Sequence, residues 1–148
     1  MPDIRIPKDA LVLVGNGAKA LFLRNRGTAM MPKLAMESVL EQANPATREQ
    51  GTDQPGQSVG FAGGPGSALE QTDWHRLAEE RFIAEIAEQL LRQAHDNAFT
   101  DLVVVAPPRV LGGLRKAMHK TVSERVRAEI PKELTARPIA EIEEALVA

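Results

Sequence analysis

The sequence has 148 residues, of which 43% are apolar and 26% charged, and its formal net charge is −2. These values are typical of one globular domain with a hydrophobic core, and the absence of cysteine excludes disulfides, thiolate metal sites and cysteine nucleophiles. No segment is apolar over a membrane-spanning length and the first residues lack a signal-peptide core, so we expect a cytoplasmic protein.

The first part of the chain predicts two strands joined by a tight turn. Apolar runs at 10–14 and 18–24 flank a Gly-Asn-Gly segment at 15–17, and Asn-Gly tolerates positive φ at both central positions of a hairpin turn. The glycines also match a dinucleotide-binding fingerprint loosely, but that fingerprint needs a helix after the glycines, whereas a strand follows here. Alternating apolar residues over 33–41 favour a third strand over a short helix.

Residues 43–71 form a glycine- and proline-rich segment that contains six of the eleven glycines. Long connections without regular structure are uncommon in compact domains and are usually functional or disordered. Both interpretations stay open here. If the segment is functional, Gly63, Gly64 and Gly66 would allow the backbone to approach a partner closely.

The central part of the chain predicts a long amphipathic helix that leads into a buried strand. The predicted helix begins at Thr72, or at Ser67 if Ser67 to Glu70 is a capping box. The run at 102–106 is too uniformly apolar for a strand with one wet face, so we expect it inside a parallel sheet. The apolar residues that recur at steps of three and four, and so predict one helix face, are Trp74, Leu77, Ala78, Phe82, Ile86, Ala87, Leu90, Leu91 and Ala94.

The last third of the chain predicts a helix, an edge strand and a final helix. Pro107 and Pro108 suit the first turn of a helix, where a missing N–H is tolerated, and the glycine pair at 112–113 permits close packing. Alternation over 125–130 predicts the edge strand, and Pro138 begins the last helix. Together, residues 1–148 predict a single α/β domain with a mixed sheet of about five strands and helices packed on it.

The candidate binding site is the segment 106–113, where a helix follows a buried strand. In open α/β sheets, ligands collect beyond the carboxyl ends of parallel strands, where the amino terminus of a helix presents free amides. Residues 109–127 contain six basic residues and one acidic residue, which suits an anionic partner such as RNA; ordinary solvated helix faces are the alternative. The candidate electrostatic contacts are Arg109, Arg115, Lys116 and Lys120.

No pattern of side chains indicates a catalytic, metal or cofactor site. The chain has no serine in a nucleophile elbow, and its three histidines do not have metal-ligand spacing. Glu79 and Glu80 are adjacent on the predicted helix, so they cannot face each other as an acid/base pair. We therefore expect no catalytic residues, no metal and no cofactor.

The order of the elements and several short motifs resemble the bacterial host attachment protein family, described as required for attachment to host cells. That family is similar in turn to the middle domain of archaeal and eukaryotic class-1 peptide release factors. In those factors a Gly-Gly-Gln loop, followed by Ser-Ala-Leu and a long helix, enters the peptidyl-transferase centre. The matching motifs are Asn44-Pro45 with Arg48, Asp53 with Pro55-Gly56, Asp73-Trp74-His75, Ala106-Pro107-Pro108-Arg109, Leu111-Gly112 with Leu114-Arg115, and the tail from Leu134-Thr135.

The resemblance implies a shared fold and contact with the ribosome or RNA rather than catalysis. Gly63-Gly64 and Ser67-Ala68-Leu69 match the release-factor pattern, but Pro65 and an inserted Gly66 replace the glutamine that positions the hydrolytic water. We therefore expect a non-catalytic binding protein in which Gly63, Gly64 and Gly66 form a mobile loop. Two alternatives stay open: a peptidyl-tRNA or ester hydrolase that uses the loop, and a module that binds a protein partner in cell attachment. No DNA partner is expected.

Overall fold

The secondary structure of the described residues consists of one mixed five-stranded sheet and four helices. The computed structural model describes residues 6–42 and 65–147. The strands in these ranges are β1 (Leu11–Gly15), β2 (Lys19–Asn25), β3 (Leu34–Glu41), β4 (Leu102–Val105) and β5 (Val126–Ile130). The helices are α1 (Pro65–His95), α2 (Pro108–Ala117), α3 (Lys120–Ser123) and α4 (Ile139–Val147).

The sheet has the strand order β3-β2-β1-β4-β5. β1 pairs antiparallel with β2, which pairs antiparallel with β3, whereas β4 runs parallel to both β1 and β5. Every residue of β1 and β4 is buried, because strands in the interior of a sheet covered on both sides have no wet face. The predicted α/β fold and the interior position of the strand at 102–105 are confirmed.

Two hydrophobic clusters lie on the two faces of this sheet. Leu11 and Leu13 point toward the cluster that contains α1, α2 and α3, whereas Val12 and Val14 point toward the cluster that contains α4. This division follows from the strand geometry, in which successive side chains point to opposite faces. The sheet therefore separates a three-helix layer from a thinner layer, and its strand ends stay accessible.

The β1–β2 hairpin is confirmed, but its turn differs from the expectation. Asn16 Oδ1 accepts hydrogen bonds from the amides of Ala18 and Lys19, both at 2.8 Å, and the Asn16 amide donates to the Lys19 carbonyl at 2.9 Å. The described glycines have no positive φ, so the predicted left-handed Asn-Gly pair was wrong. Gly17 and Ala18 are the central residues, and the Asn16 side chain closes the turn.

Helix α1 begins earlier than the sequence predicts. It starts at Pro65, before both predicted caps, so residues 65–71 are helical rather than part of the glycine-rich segment. Gly66 lies in the first turn of α1, which corrects its assignment to a loop, while Gly63 and Gly64 lie outside the described residues. The 31 residues of α1 span about 46 Å, well beyond the length of a five-residue strand.

The buried face of α1 also differs from the prediction. Phe82, Ile86 and Leu90 are at most 1% exposed, whereas Trp74 and Leu77 are 41% and 48% exposed. At about 100° per residue, Trp74 and Leu77 lie about 120° and about 180° around the helix from Ile86, the middle one of these three buried residues. The prediction of one continuous apolar face was therefore wrong for the first two turns of that face. The apolar residues recur at irregular steps of three and four, so their directions shift around the helix axis.

The elements after β4 agree with the prediction, except that the short helix α3 was not expected. Val110, Leu111 and Leu114 form the buried face of α2. A Cβ on Gly113 would lie 2.9 Å from Ile83 Cδ1, so this glycine permits the close packing of α2 on α1; around Gly112 there is open space. No helix in the described ranges is long and apolar enough to cross a bilayer.

Candidate functional site

A cleft of about 460 Å³ lies at the carboxyl ends of the parallel strands β1 and β4. This volume is within the range of small-ligand sites, and the position agrees with the rule for open α/β sheets. Pro107, Arg109 and Val110 place the amino terminus of α2 in one wall, as expected for the segment 106–113. The other lining residues are Asn16, Gly17, Ala18, Gln42, His75, Glu79 and Glu133.

An ion pair joins α1 to α2 at the cleft. Arg109 Nη2 donates to Glu79 Oε2 at 2.9 Å; the side chain of Arg109 is 81% exposed and that of Glu79 is 21% exposed. A Cβ on Gly17 would overlap the Glu79 carboxylate, so a larger residue at position 17 would require the Glu79 side chain to move. Glu79 is therefore fixed between the hairpin turn and Arg109, while most of the guanidinium faces solvent.

A second carboxylate is held on the opposite wall. Glu133 Oε2 accepts hydrogen bonds from Asn16 Nδ2 at 2.8 Å and from Thr135 Oγ1 at 2.7 Å. Asn16 Nδ2 also donates to Thr135 Oγ1 at 3.0 Å, so the hairpin turn is tied to the loop between β5 and α4. Glu133 Oε1 makes no hydrogen bond within the described part of the chain, and it is available as an acceptor.

The amino terminus of α2 has no capping side chain. Pro107 occupies the cap position and its carbonyl accepts from the Leu111 amide at 2.9 Å. The amides of Arg109 and Val110 belong to the first turn of the helix, where an α-helix supplies no backbone acceptor. Both residues line the cleft, so unpaired amide donors and a guanidinium lie on the same wall.

The structure brings only one of the four predicted basic contacts into the cleft. Arg109 lines it, whereas Arg115, Lys116 and Lys120 lie on the exposed surface of α2 and α3. Arg115 Nη2 lies 2.6 Å from Glu129 Oε1, and hydrogen bonding to Glu129 raises the pKa of Arg115. Lys120 lies 3.9 Å from a carboxylate oxygen one helical turn away, and Lys116 has no ion pair among the described residues.

Arg109 and Lys116 share the outward side of α2. They are seven positions apart in the sequence, so they lie about 20° apart around the helix and about 10 Å apart along it. Gly112 lies between them on the same side, with open space where its side chain would be. These two residues define a basic stripe on α2, in which Arg109 is paired with Glu79 and Lys116 has no ion pair among the described residues.

Sequence reasoning did not identify Asn16, His75, Glu79 or Glu133 as site residues. Glu79 and Glu133 come from elements far apart in the chain, so no local spacing relates them. Among the described residues, no group of three or more histidine, aspartate or glutamate side chains could hold a metal ion. The lining residues that the structure describes include no serine, threonine or cysteine. They do offer a polar group several hydrogen-bond donors and acceptors.

The sequence model of bacterial archaeo-eukaryotic release factor family 12 matches residues 9–146. The match begins at Asp9, two residues before β1, and ends within α4, so it includes all the described lining residues of the cleft. It confirms the release-factor part of the predicted resemblance, whereas the resemblance to host attachment proteins stays a prediction. No curated protein matches this chain.

Proposed function

Because this chain belongs to bacterial archaeo-eukaryotic release factor family 12, we propose that it is a cytoplasmic, non-catalytic binding protein that contacts RNA on the ribosome. The family match over residues 9–146 is the observation that carries the proposal, since release factors act in translation. The exposed basic residues of α2 and α3 supply the electrostatic contacts that binding to a polyanion needs.

The basic stripe is the main proposed contact with phosphates. Lys116 has no ion pair within the described ranges, and Arg109 keeps most of its guanidinium in solvent. Arg109, Arg115 and Lys120 each share their charge with a carboxylate that is already within 4 Å, so each contributes less than Lys116. Phosphate contacts of this kind position a nucleic acid without reading its sequence.

The residues of this chain favour binding without hydrolysis. The described residues that line the cleft offer no hydroxyl or thiol nucleophile, and Pro65 and Gly66 stand where a release factor carries its glutamine. Hydrolysis of peptidyl-tRNA, and a role as a protein-binding module in host attachment, are therefore treated as outcomes of the test.

Co-sedimentation with ribosomes at low and high salt tests this proposal. If four cations contact phosphates, the affinity should fall about 50-fold between about 50 and about 200 mM salt, using the slope for single strands. If one cation does so, the fall should be about threefold. Because three of the four candidate cations are already paired with a carboxylate, we expect a value between these limits. A flat salt response would contradict the proposal.

Two matched double variants localise the contact. Arg115→Ala plus Lys116→Ala removes two positive charges from α2, and we expect weaker binding to ribosomes with a smaller salt dependence. Lys8→Ala plus Lys33→Ala removes the same charge from exposed positions at the opposite end of the sheet, and binding should be retained. Equal effects of the two variants would contradict the assignment of the surface. Release of label from a peptidyl-tRNA analogue would favour the hydrolase, and recovery of the protein in the envelope fraction would favour the attachment module.

A further inference from the structure

We propose that the cleft at the carboxyl ends of β1 and β4 receives one unpaired RNA nucleotide whose base carries an exocyclic amino group. In this arrangement the phosphate lies at Arg109 and the amino group donates to Glu133. The inference rests on the proposed function, because it names the part of an RNA strand that the cleft would hold. It goes further in assigning base recognition to residues that a purely electrostatic contact would not use.

The charge pattern of the cleft excludes a bare phosphate as the best ligand. Glu79 and Glu133 place two carboxylates in the lining, and Arg109 is the one described lining residue with a permanent positive charge. A ligand that fits this pattern must offer an anionic group to Arg109 and a hydrogen-bond donor to a carboxylate. A nucleotide of cytosine, adenine or guanine has both, whereas uridine lacks the amino group. The volume of about 460 Å³ is sufficient for one nucleotide.

The phosphate side of the cleft has hydrogen-bond donors that the contact with Glu79 does not use. A guanidinium carries five N–H donors in a planar fork, and the bond to Glu79 uses only Nη2 of Arg109. Arg109 can therefore keep its contact with Glu79 and donate to a phosphate at the same time. The free amides at the amino terminus of α2 lie on the same wall, where the helix dipole favours negative charge.

The base side of the cleft has a carboxylate held in one orientation. Asn16 and Thr135 both donate to Glu133 Oε2, which leaves Oε1 as the acceptor for an incoming amino group. Carboxylates are the side chains that accept from the N4 amino group of cytosine. His75 is exposed at the rim of the cleft, and its ring can stack on a base that is not paired with another.

Fluorescence anisotropy with labelled hexamers of cytidine and of uridine tests this inference. The two oligonucleotides carry the same phosphate charge, so their difference in affinity reports the base alone. We expect the wild-type protein to bind the cytidine hexamer about tenfold more tightly. Arg109→Gln should weaken both complexes by the same factor, because it removes a contact to the phosphate.

The Glu133→Gln variant tests the proposed contact between Glu133 and the amino group of the base. Its amide can donate to the O4 carbonyl of uracil as well as accept from the amino group of cytosine, so the preference for cytidine should be lost. Glu144→Gln on α4 makes the same change of charge at an exposed position and should retain the preference. Equal binding of the two hexamers by the wild-type protein, or an unchanged preference in Glu133→Gln, would overturn the inference while salt-dependent RNA binding still supported the proposed function. Failure to bind ribosomes or either hexamer would overturn both.

Discussion

Replacement of Asn25 by alanine is expected to destabilise the fold by about 4 kcal/mol, because this side chain connects three segments of the amino-terminal region. Asn25 is fully buried, and its Nδ2 donates to the carbonyl of Ile6 at 2.9 Å and to those of Pro7 and Thr28 at 3.2 Å. Its Oδ1 accepts from the amides of Gly27 and Lys33, both at 2.9 Å.

The magnitude follows from how accessible each partner is to water. The bond to the Ile6 carbonyl is fully buried, so its loss leaves an acceptor unsatisfied at a cost of about 2 kcal/mol. The amides of Gly27 and Lys33 are only partly buried, so water can replace part of each bond and the cost is about 1 kcal/mol each. The total is a large fraction of the stability of an ordinary domain, about 5–15 kcal/mol.

Urea unfolding followed by far-ultraviolet circular dichroism measures the change. With an m-value of about 2 kcal/mol/M, the midpoint should fall by about 2 M in Asn25→Ala. Thr100→Ala, an exposed control, should shift it by less than about 0.3 M. A shift below about 0.5 M in Asn25→Ala would refute the reasoning.

Asn25→Asp separates hydrogen bonding from side-chain size. The aspartate keeps the shape but turns an oxygen toward the Ile6 carbonyl, so burial and the facing carbonyls should raise its pKa in the folded state. A raised pKa in the folded state means stability that is present at low pH and lost as the pH rises. The difference in stability from the wild-type protein should therefore widen from acidic to neutral pH.

Three further changes test other parts of the fold in the same unfolding assay. Gly112→Ala should stabilise the protein by about 0.5–1 kcal/mol, because the site is an open position inside a helix; a loss of stability would contradict that geometry. Hydrogen bonding from Arg24 lowers the pKa of Glu37, so the stability that Glu37 contributes is present above pH 4.5 and lost as the pH falls through its lowered pKa in the folded state. The gap in stability between the wild-type protein and Glu37→Gln should close on acidification, and a constant gap would exclude this pairing. Phe82→Ala should lower the free energy of unfolding by about 3–5 kcal/mol and Trp74→Ala by less than about 1 kcal/mol. Similar losses in the two variants would support the continuous apolar face that the sequence predicts.

Local patterns in the sequence were sufficient for most of the elements. The Gly-Asn-Gly turn between two apolar runs predicts the hairpin, and the run at 102–105 is too apolar for any place but the interior of a sheet. Pro107 and Pro108 mark the start of α2, because proline is tolerated where an amide has no partner. These features depend on neighbours within a few residues, and therefore they can be predicted from the sequence.

The position of the cleft agrees with the sequence prediction, but most of the residues that line it were not predicted. A helix that follows a buried parallel strand predicts a binding cleft near 106–113, and Arg109 lies in it. The partners of Arg109 and Asn16 could not be predicted, since Glu79 lies 30 residues from Arg109 and Glu133 lies 117 residues from Asn16. Such contacts depend on how separate elements meet.

Hydrophobic periodicity acts within each element, so it was sufficient to predict the alternation of strands and helices and the burial of the central strands. The strand order, the outward position of Trp74 and Leu77, and the pairing of the basic residues with carboxylates could be seen only in the folded protein. Burial and ion pairing depend on which surfaces are brought together, and distant parts of the chain supply those surfaces. Packing therefore pairs three of the four candidate cations with carboxylates and leaves Lys116 without an ion pair in the described part of the chain.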